Sequence, residues 1–331
     1  MTHVPRTGAM PVAVSQSWEG RSLPALVRAE RPDLDLAAWI TANTGTLDRL
    51  AHTAGAVLLR GFAVPGATAF RAVMDALSPA VLNYGERSSP RTEVSTGVYT
   101  STEYPADQHI LLHNEQSYTD NWPVRIVFCC ERPAAVGGRT PLADSRRVLA
   151  ALDPATVERF ERLGVRYVRN YLRGISLPWQ EAFQTDSRSE VDAYCERAGI
   201  VADWVGEDHL RTYQQRPAIH THPATGDRTW FNHAVFFHVT SLPEEVSAGL
   251  TELLSEDDFP YQTYYGDGTP IEPATLAELR AALDRETVAF TWQTGDVLVV
   301  ENMITAHARE PFEGPRRILA AMCDPIRDLR R

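Results

Sequence analysis

The 331-residue chain contains no lysine, and all 32 of its basic residues are arginine. That absence removes whole chemistries. There is no lysine amine to form a Schiff base with pyridoxal phosphate or a carbonyl substrate, and no P-loop lysine for nucleotide phosphates. Positive charge is in deficit too, with 43 acidic residues and a formal net charge of −11. Phosphate backbones attract clusters of Lys and Arg, so no nucleic acid is expected as substrate or partner. Cysteine is scarce. Cys129, Cys130, Cys195 and Cys323 show no CxxC spacing, which suggests neither a zinc knuckle nor a disulfide framework, only packed, reduced thiols.

Long apolar runs are missing as well. No stretch approaches the ~18 to 20 consecutive apolar residues of a membrane span. Met1–Gln16 has no positive region followed by an apolar run, so a cytoplasmic protein with no membrane partner is expected. No GxGxxG follows a strand, which counts against a dinucleotide fold. The 22 prolines and 20 glycines are spread along the chain rather than gathered into a linker, so residues 1–331 read as a single domain.

Residues 36–54 have helical spacing of apolar positions, and Ala56–Phe62 then reads as a buried strand that stops at the Pro65–Gly66 turn. A second helix over Thr68–Leu77 completes a set of N-terminal elements, residues 1–80, expected to pack on the core. Asn83–Asp107 is polar and without periodicity. An irregular stretch of that length inside a compact chain suggests a lid. From Ile110 onward, short apolar runs recur between turn signals: Ile110–Leu112, Val124–Cys130, Val165–Tyr171, Trp230–Phe237, Val288–Trp292, Val297–Val300 and Ile318–Met322. Helical spacing returns at 146–151, 154–163, 190–198, 243–255 and 273–283. Many short strands interrupted by helices predict a mostly β fold, a jelly roll or double-stranded β-helix with helical insertions.

The segment LLHNEQSY sets His113 and Glu115 two residues apart at the end of an apolar run. In a strand, residues i and i+2 share a face, so the imidazole and the carboxylate can converge on one cation. His307, 192 positions beyond Glu115 and after the run VLVVENMITAH, is the candidate third ligand. Two histidines and one carboxylate leave half of an octahedron open, as a metal that binds a chelating cosubstrate together with O₂ requires. HxE alone is a common pair, and a hydrogen-bonded core pair is the competing reading. Beyond His307, Arg316 and Arg317 enter an apolar strand. A buried guanidinium needs an anion, which a dicarboxylate cosubstrate would supply and an acidic side chain could also supply.

Several further blocks stand in order along the chain: PRTEVSTGVYTSTEYPADQ, GGRTPLADSRRVL, RNYLRGISLPWQEAFQT, WFNHAVFFHV, YYGDGTPIE, WQTGDVLVVENMITAHARE and GPRRILAAM. With LLHNEQSY, these blocks make the chain resemble the taurine dioxygenase-like (TauD/TfdA) iron(II)/2-oxoglutarate oxygenases from about Ala56 to Met322. Within that family it most resembles amino-acid hydroxylases of nonribosomal peptide pathways, such as the syringomycin-type aspartyl hydroxylases. The resemblance implies that His113, Glu115 and His307 bind iron. It also implies that Thr140 and Arg317 hold the far carboxylate of 2-oxoglutarate, with Arg316 structural unless the register slips by one. Members that bind sulfonates carry an Arg four positions after the cosubstrate Arg, where this chain has Ala321, which disfavours taurine. Halogenating relatives lack the carboxylate ligand that is present here as Glu115, so hydroxylation is favoured over chlorination.

The cofactors so implied are iron(II), 2-oxoglutarate and O₂. The implied substrate is an amino acid or close derivative, free or tethered to a carrier protein, in a biosynthetic pathway of the antibiotic type; a homo-oligomer is compatible with this. His109, Arg309, Asn232 and Phe236 are the candidate substrate contacts. His220 and His222 share an i, i+2 spacing but no supporting block, and read as loop histidines. A desaturase or cyclase would use the same cofactors. A zinc or manganese hydrolase or isomerase on a cupin-like barrel, or a non-catalytic binding protein, is the alternative of another class.

Overall fold

The computed structural model describes residues 12–15, 22–78, 93–95, 97–101 and 104–327. An eight-stranded sheet runs in the order Val12–Ser15, Ala25–Ala29, Ala56–Arg60, Val297–Glu301, Asn121–Arg132, Arg317–Arg327, Val98–Thr100, Glu93–Ser95. A four-stranded sheet of order Thr287–Phe290, Thr140–Asp144, Thr305–Arg309, Ile110–His113 completes a double-stranded β-helix.

Side-chain alternation explains the continuous apolar runs in the central strands of the larger sheet. Leu298 and Val300 pack inward with Leu58, Ile126, Phe128, Leu142, Phe290, Trp292 and Met322. Val297 and Val299 point outward, onto Trp39, Ile40, Leu47, Phe70 and Val73. With both faces covered, runs such as AVLL and VLVV are fully buried. The outer cover comes from the helices Leu36–Ala54 and Gly66–Leu77. Asp35 caps the first of these by accepting from the Ala38 amide, and Gly55 ends it in a left-handed turn at φ 83°. A Cβ at Gly55 would lie 2.3 Å from Thr305 Oγ1, so the close approach of the helix end to the sheet needs glycine there.

A third sheet, ordered Val201–Trp204, His209–Arg216, Val165–Leu172, Tyr261–Tyr265, forms a separate wall beside the β-helix. Its core joins Tyr167, Tyr265 and Val165 to Phe160 and Leu279 of the helices Pro154–Leu163 and Pro273–Glu286.

The expected strand Trp230–Phe237 is corrected. Only Arg228–Trp230 is extended, and the chain then turns, with the Phe237 amide donating to the His233 carbonyl at 3.0 Å. Most of the candidate lid, namely residues 83–92, 96, 102 and 103, lies outside the described residues. Within it, Val98–Thr100 pairs antiparallel with Leu319–Ala321. The four cysteines are buried and free, and burial pushes the Cys129 and Cys130 thiols up to about 12. Among the described residues no helix is long and apolar enough to cross a membrane.

Candidate active site

His113 and His307 sit opposite each other on antiparallel neighbours of the four-stranded sheet, with ring centroids 4.4 Å apart. The third group arrives by a route the strand argument does not describe. The strand ends at His113, and Glu115 stands in the turn that follows, just before Gln116 at φ 56°. The turn is pinned from a distant part of the chain. Asn302 accepts from the Glu115 amide at 2.8 Å and donates to the Glu115 and Pro123 carbonyls at 2.9 Å each. Asn114 donates back to the Asn302 carbonyl at 2.7 Å. Because Asn302 also lies between the strands Val297–Glu301 and Thr305–Arg309, one side chain couples the two halves of the candidate ligand set. Sequence reading passed over Asn302; its place in VVENMITAH was the only signal.

Ligand atoms of His113, Glu115 and His307 all lie within 4.8 Å of one another, and Glu115 and His307 are buried. The Leu111 carbonyl lies 2.8 Å from His113 Nδ1; accepting that proton sets the lone pair on Nε2. Phe236 lies 4.7 Å from the His113 ring and Phe128 5.2 Å from the His307 ring, which fixes both imidazoles in place. Two neutral imidazoles and one carboxylate at this spacing fit a ferrous ion, a donor set that leaves sites for cosubstrates.

Two cavities meet at His113. The smaller is lined by Thr140, Phe128, His307, Arg309, Arg316 and Ile318. Thr140 Oγ accepts from Trp292 Nε1 at 3.0 Å, which turns the hydroxyl proton elsewhere. Arg316 donates to the Gly138 carbonyl at 3.2 Å. Its pKa falls to about 10, first through burial and then through the neighbouring Arg309 guanidinium. Among the described residues no carboxylate lies within ion-pair reach of Arg316 or Arg309. Arg317, expected at this site, points the other way. It is half exposed and pairs with Glu131 at 2.7 Å. The structure thus puts Arg316 rather than Arg317 in the smaller cavity: Arg316 and Ile318 both line it, and a register irregularity falls between Arg317 and Ile318.

The larger cavity has a volume of about 860 Å³ and is lined by His109, Tyr118, His233, Phe236, Phe237 and Tyr261, along with Glu115. His109 precedes the strand Ile110–His113 and is exposed on the cavity rim. Phe236, a candidate substrate contact, lines this cavity beside the His113 ring. Asn232 does not line it. That side chain donates to the Ala218 carbonyl and accepts from the Ala234 amide, both at 2.8 Å, and so shapes the turn. Arg309 lines the smaller cavity instead. His233 is the cavity residue that sequence reading missed, although it stands inside WFNHAVFFHV. Ser117 lies 2.6 Å from its Nδ1, and burial first, then His113 and Arg169, hold its pKa well below the usual histidine value. It is a neutral ring beside the candidate metal ligands.

His52, His222 and Glu301 form a second group of possible ligands. The Thr225 amide donates to His222 Nδ1 at 3.2 Å, so Nε2 carries the proton and donates to Glu301 at 3.1 Å. Arg125 takes the other Glu301 oxygen at 3.0 Å. The carboxylate is already satisfied, and this is a structural cluster. His220 and His222, read as loop histidines, are both buried.

A double-stranded β-helix that places two imidazoles and a carboxylate beside an arginine-lined cavity belongs to the iron(II)- and 2-oxoglutarate-dependent dioxygenases, whose second cosubstrate is O₂. More particularly, residues 19–323 match the family described as "Taurine catabolism dioxygenase TauD, TfdA family", and the chain belongs to it. It is 38% identical over 302 residues to the dapdiamide synthesis protein DdaC of Enterobacter agglomerans, with 91% of each chain covered. A clavaminate synthase-like protein of Arabidopsis thaliana is 29% identical, over 95% of this chain and 97% of that one. In fold, the chain is similar to PvcB from Pseudomonas aeruginosa, with a TM-score of 0.58 at 17% identity and coverage of 99% and 98%.

Proposed function

We propose that this chain hydroxylates an sp³ carbon of an amino acid or close derivative, free or carried on a carrier protein, as a cytoplasmic enzyme of specialised metabolism. Iron is held by His113, Glu115 and His307, and the far carboxylate of 2-oxoglutarate by Thr140 and Arg316. The observation that carries this reading is the position of the triad at the junction of two cavities, one lined by two guanidinium groups with no carboxylate in ion-pair reach among the described residues and one of small-molecule size. The kinship with DdaC, a dapdiamide synthesis protein, supports an amino-acid-like substrate.

Iron and 2-oxoglutarate supply the oxidation when bound: C–H, O₂ and 2-oxoglutarate become C–OH, succinate and CO₂. The chain's residues do the rest. Arg316 and the Thr140 hydroxyl offer charge-assisted donors to one carboxylate, which fixes the cosubstrate's direction. The Leu111 carbonyl and the Phe236 and Phe128 rings hold the imidazoles still, and the aromatic walls exclude water from the reacting carbon. His233, kept neutral, can donate a hydrogen bond into the substrate space. The whole acts as one oxygenase domain, with the N-terminal helices packed on the larger sheet.

The test is aerobic turnover with iron(II) and 2-oxoglutarate, first against free amino acids and then against carrier-loaded ones. The expected product gains one oxygen atom, with succinate in equal amount. Turnover without O₂ on zinc-loaded protein would contradict this reading.

A further inference from the structure

The guanidinium of Arg309 lines the smaller cavity and is bonded to the main chain at the rim of the larger one. It is buried in the strand Thr305–Arg309 and lines the smaller cavity with Arg316 and Thr140. Nη1 donates to the Tyr104 carbonyl at 2.9 Å, and Nη2 donates to Pro105 at 2.5 Å and Gln108 at 2.8 Å. Those three carbonyls belong to the segment whose Tyr104, Asp107 and Gln108 side chains form the mouth of the larger cavity. The Nε–H is buried and meets no acceptor among the described residues. A buried donor left unmet is costly. Arg309 and Arg316 both lie against the Phe312 ring, at 5.2 and 5.4 Å, so two like charges share one side of a cavity that no acidic side chain lines.

An anion in the smaller cavity relieves both features. It neutralises the pair of guanidinium groups and offers an acceptor to Nε. The rim is tied to the same place by a second bond, from the Phe312 amide to the Ala106 carbonyl at 2.8 Å.

We propose that Arg309 is a positioning residue that couples cosubstrate binding to the substrate cavity: its Nε meets the 2-oxoglutarate carboxylate while Nη1 and Nη2 hold the rim segment 104–108. This rests on the reading of the smaller cavity as the 2-oxoglutarate site. The cosubstrate firms the cavity mouth before any substrate arrives, and a keto acid without the far carboxylate leaves it loose. Lysine at this position keeps the charge but loses the planar fork that reaches three carbonyls and an anion together.

The experiment is hydrogen–deuterium exchange of the full chain loaded with manganese(II), with and without 2-oxoglutarate; binding is followed separately by equilibrium dialysis of labelled 2-oxoglutarate. In the wild type, 2-oxoglutarate slows amide exchange over 104–108 about tenfold, the factor that one charge-assisted hydrogen bond accounts for. Saturating 2-oxobutyrate, which lacks the second carboxylate, leaves the rim unchanged. Arg309→Lys binds 2-oxoglutarate in dialysis yet shows no slowing at the rim. Bound 2-oxoglutarate with an unchanged wild-type rim overturns the coupling, as does equal slowing by 2-oxobutyrate. Absence of 2-oxoglutarate binding to the wild type overturns instead the cosubstrate site on which the coupling rests. If Arg309→Lys does not fold, the two-ligand comparison on the wild type decides alone.

Discussion

Asn302 and Glu115, 187 residues apart, exchange a two-way pair of hydrogen bonds, amide to side-chain oxygen at 2.8 Å and side-chain nitrogen to carbonyl at 2.9 Å. The main chain that carries the Glu115 carboxylate is thus held by a residue outside the triad. Asn302→Ala removes these bonds and the one to the Pro123 carbonyl, at a cost of about 2–4 kcal/mol. Iron affinity is expected to fall roughly 10- to 100-fold, as for other groups that orient ligands. Urea midpoints and metal dialysis check the two effects separately.

The arginine pair gives a sharp comparison. Arg316→Gln removes a guanidinium that lines the smaller cavity, and 2-oxoglutarate affinity is expected to fall by about 100-fold, the equivalent of one charge-assisted bidentate contact. Arg317→Gln removes only a half-exposed pair with Glu131, and affinity is expected to change by less than about threefold. Labelled 2-oxoglutarate binding to the two variants measures both.

Arg317 faces away from the smaller cavity for a physical reason. Family spacing counts residues, but the register of Arg317–Arg327 is irregular at its first residue, and a one-residue slip exchanges the faces. Much of the rest was legible: the alternation in VLVV and the helix over 36–54 follow from periodicity, and His113, Glu115 and His307 do come together. What escaped were roles played by polar side chains toward distant main chain. Asn302, Asn232 and Arg309 each serve carbonyls or amides that no local pattern reveals. The strand His209–Arg216 escaped because HLRTYQQR is too polar to stand out as an apolar run.

The second histidine–carboxylate group should hold no metal. One iron per chain is expected by elemental analysis. His222→Gln is expected to keep that iron and His307→Ala to lose it. Two equivalents, with one lost in His222→Gln, would show that the cluster around Glu301 binds metal after all.

That cluster has a pH signature. Burial pushes the Glu301 carboxyl up, but His222 and Arg125 outweigh it, and its folded pKa lies below the ordinary glutamate value. A carboxylate whose pKa falls on folding contributes stability above its unfolded value, about 4.3. That contribution is lost as pH drops through the folded value. Glu301→Gln is therefore expected to be less stable than the wild type at pH 7, with the gap narrowing in increasingly acid buffer. Urea unfolding at several pH values tests this, and a gap independent of pH would contradict it.

The central claim, that three side chains hold one ferrous ion with room for a chelating keto acid, is tested most directly by anaerobic titration of iron(II) into protein with excess 2-oxoglutarate, followed by visible absorption. A charge-transfer band that saturates at one equivalent and is absent in His307→Ala is the predicted result. No band in the wild type, or an undiminished band in His307→Ala, would contradict it.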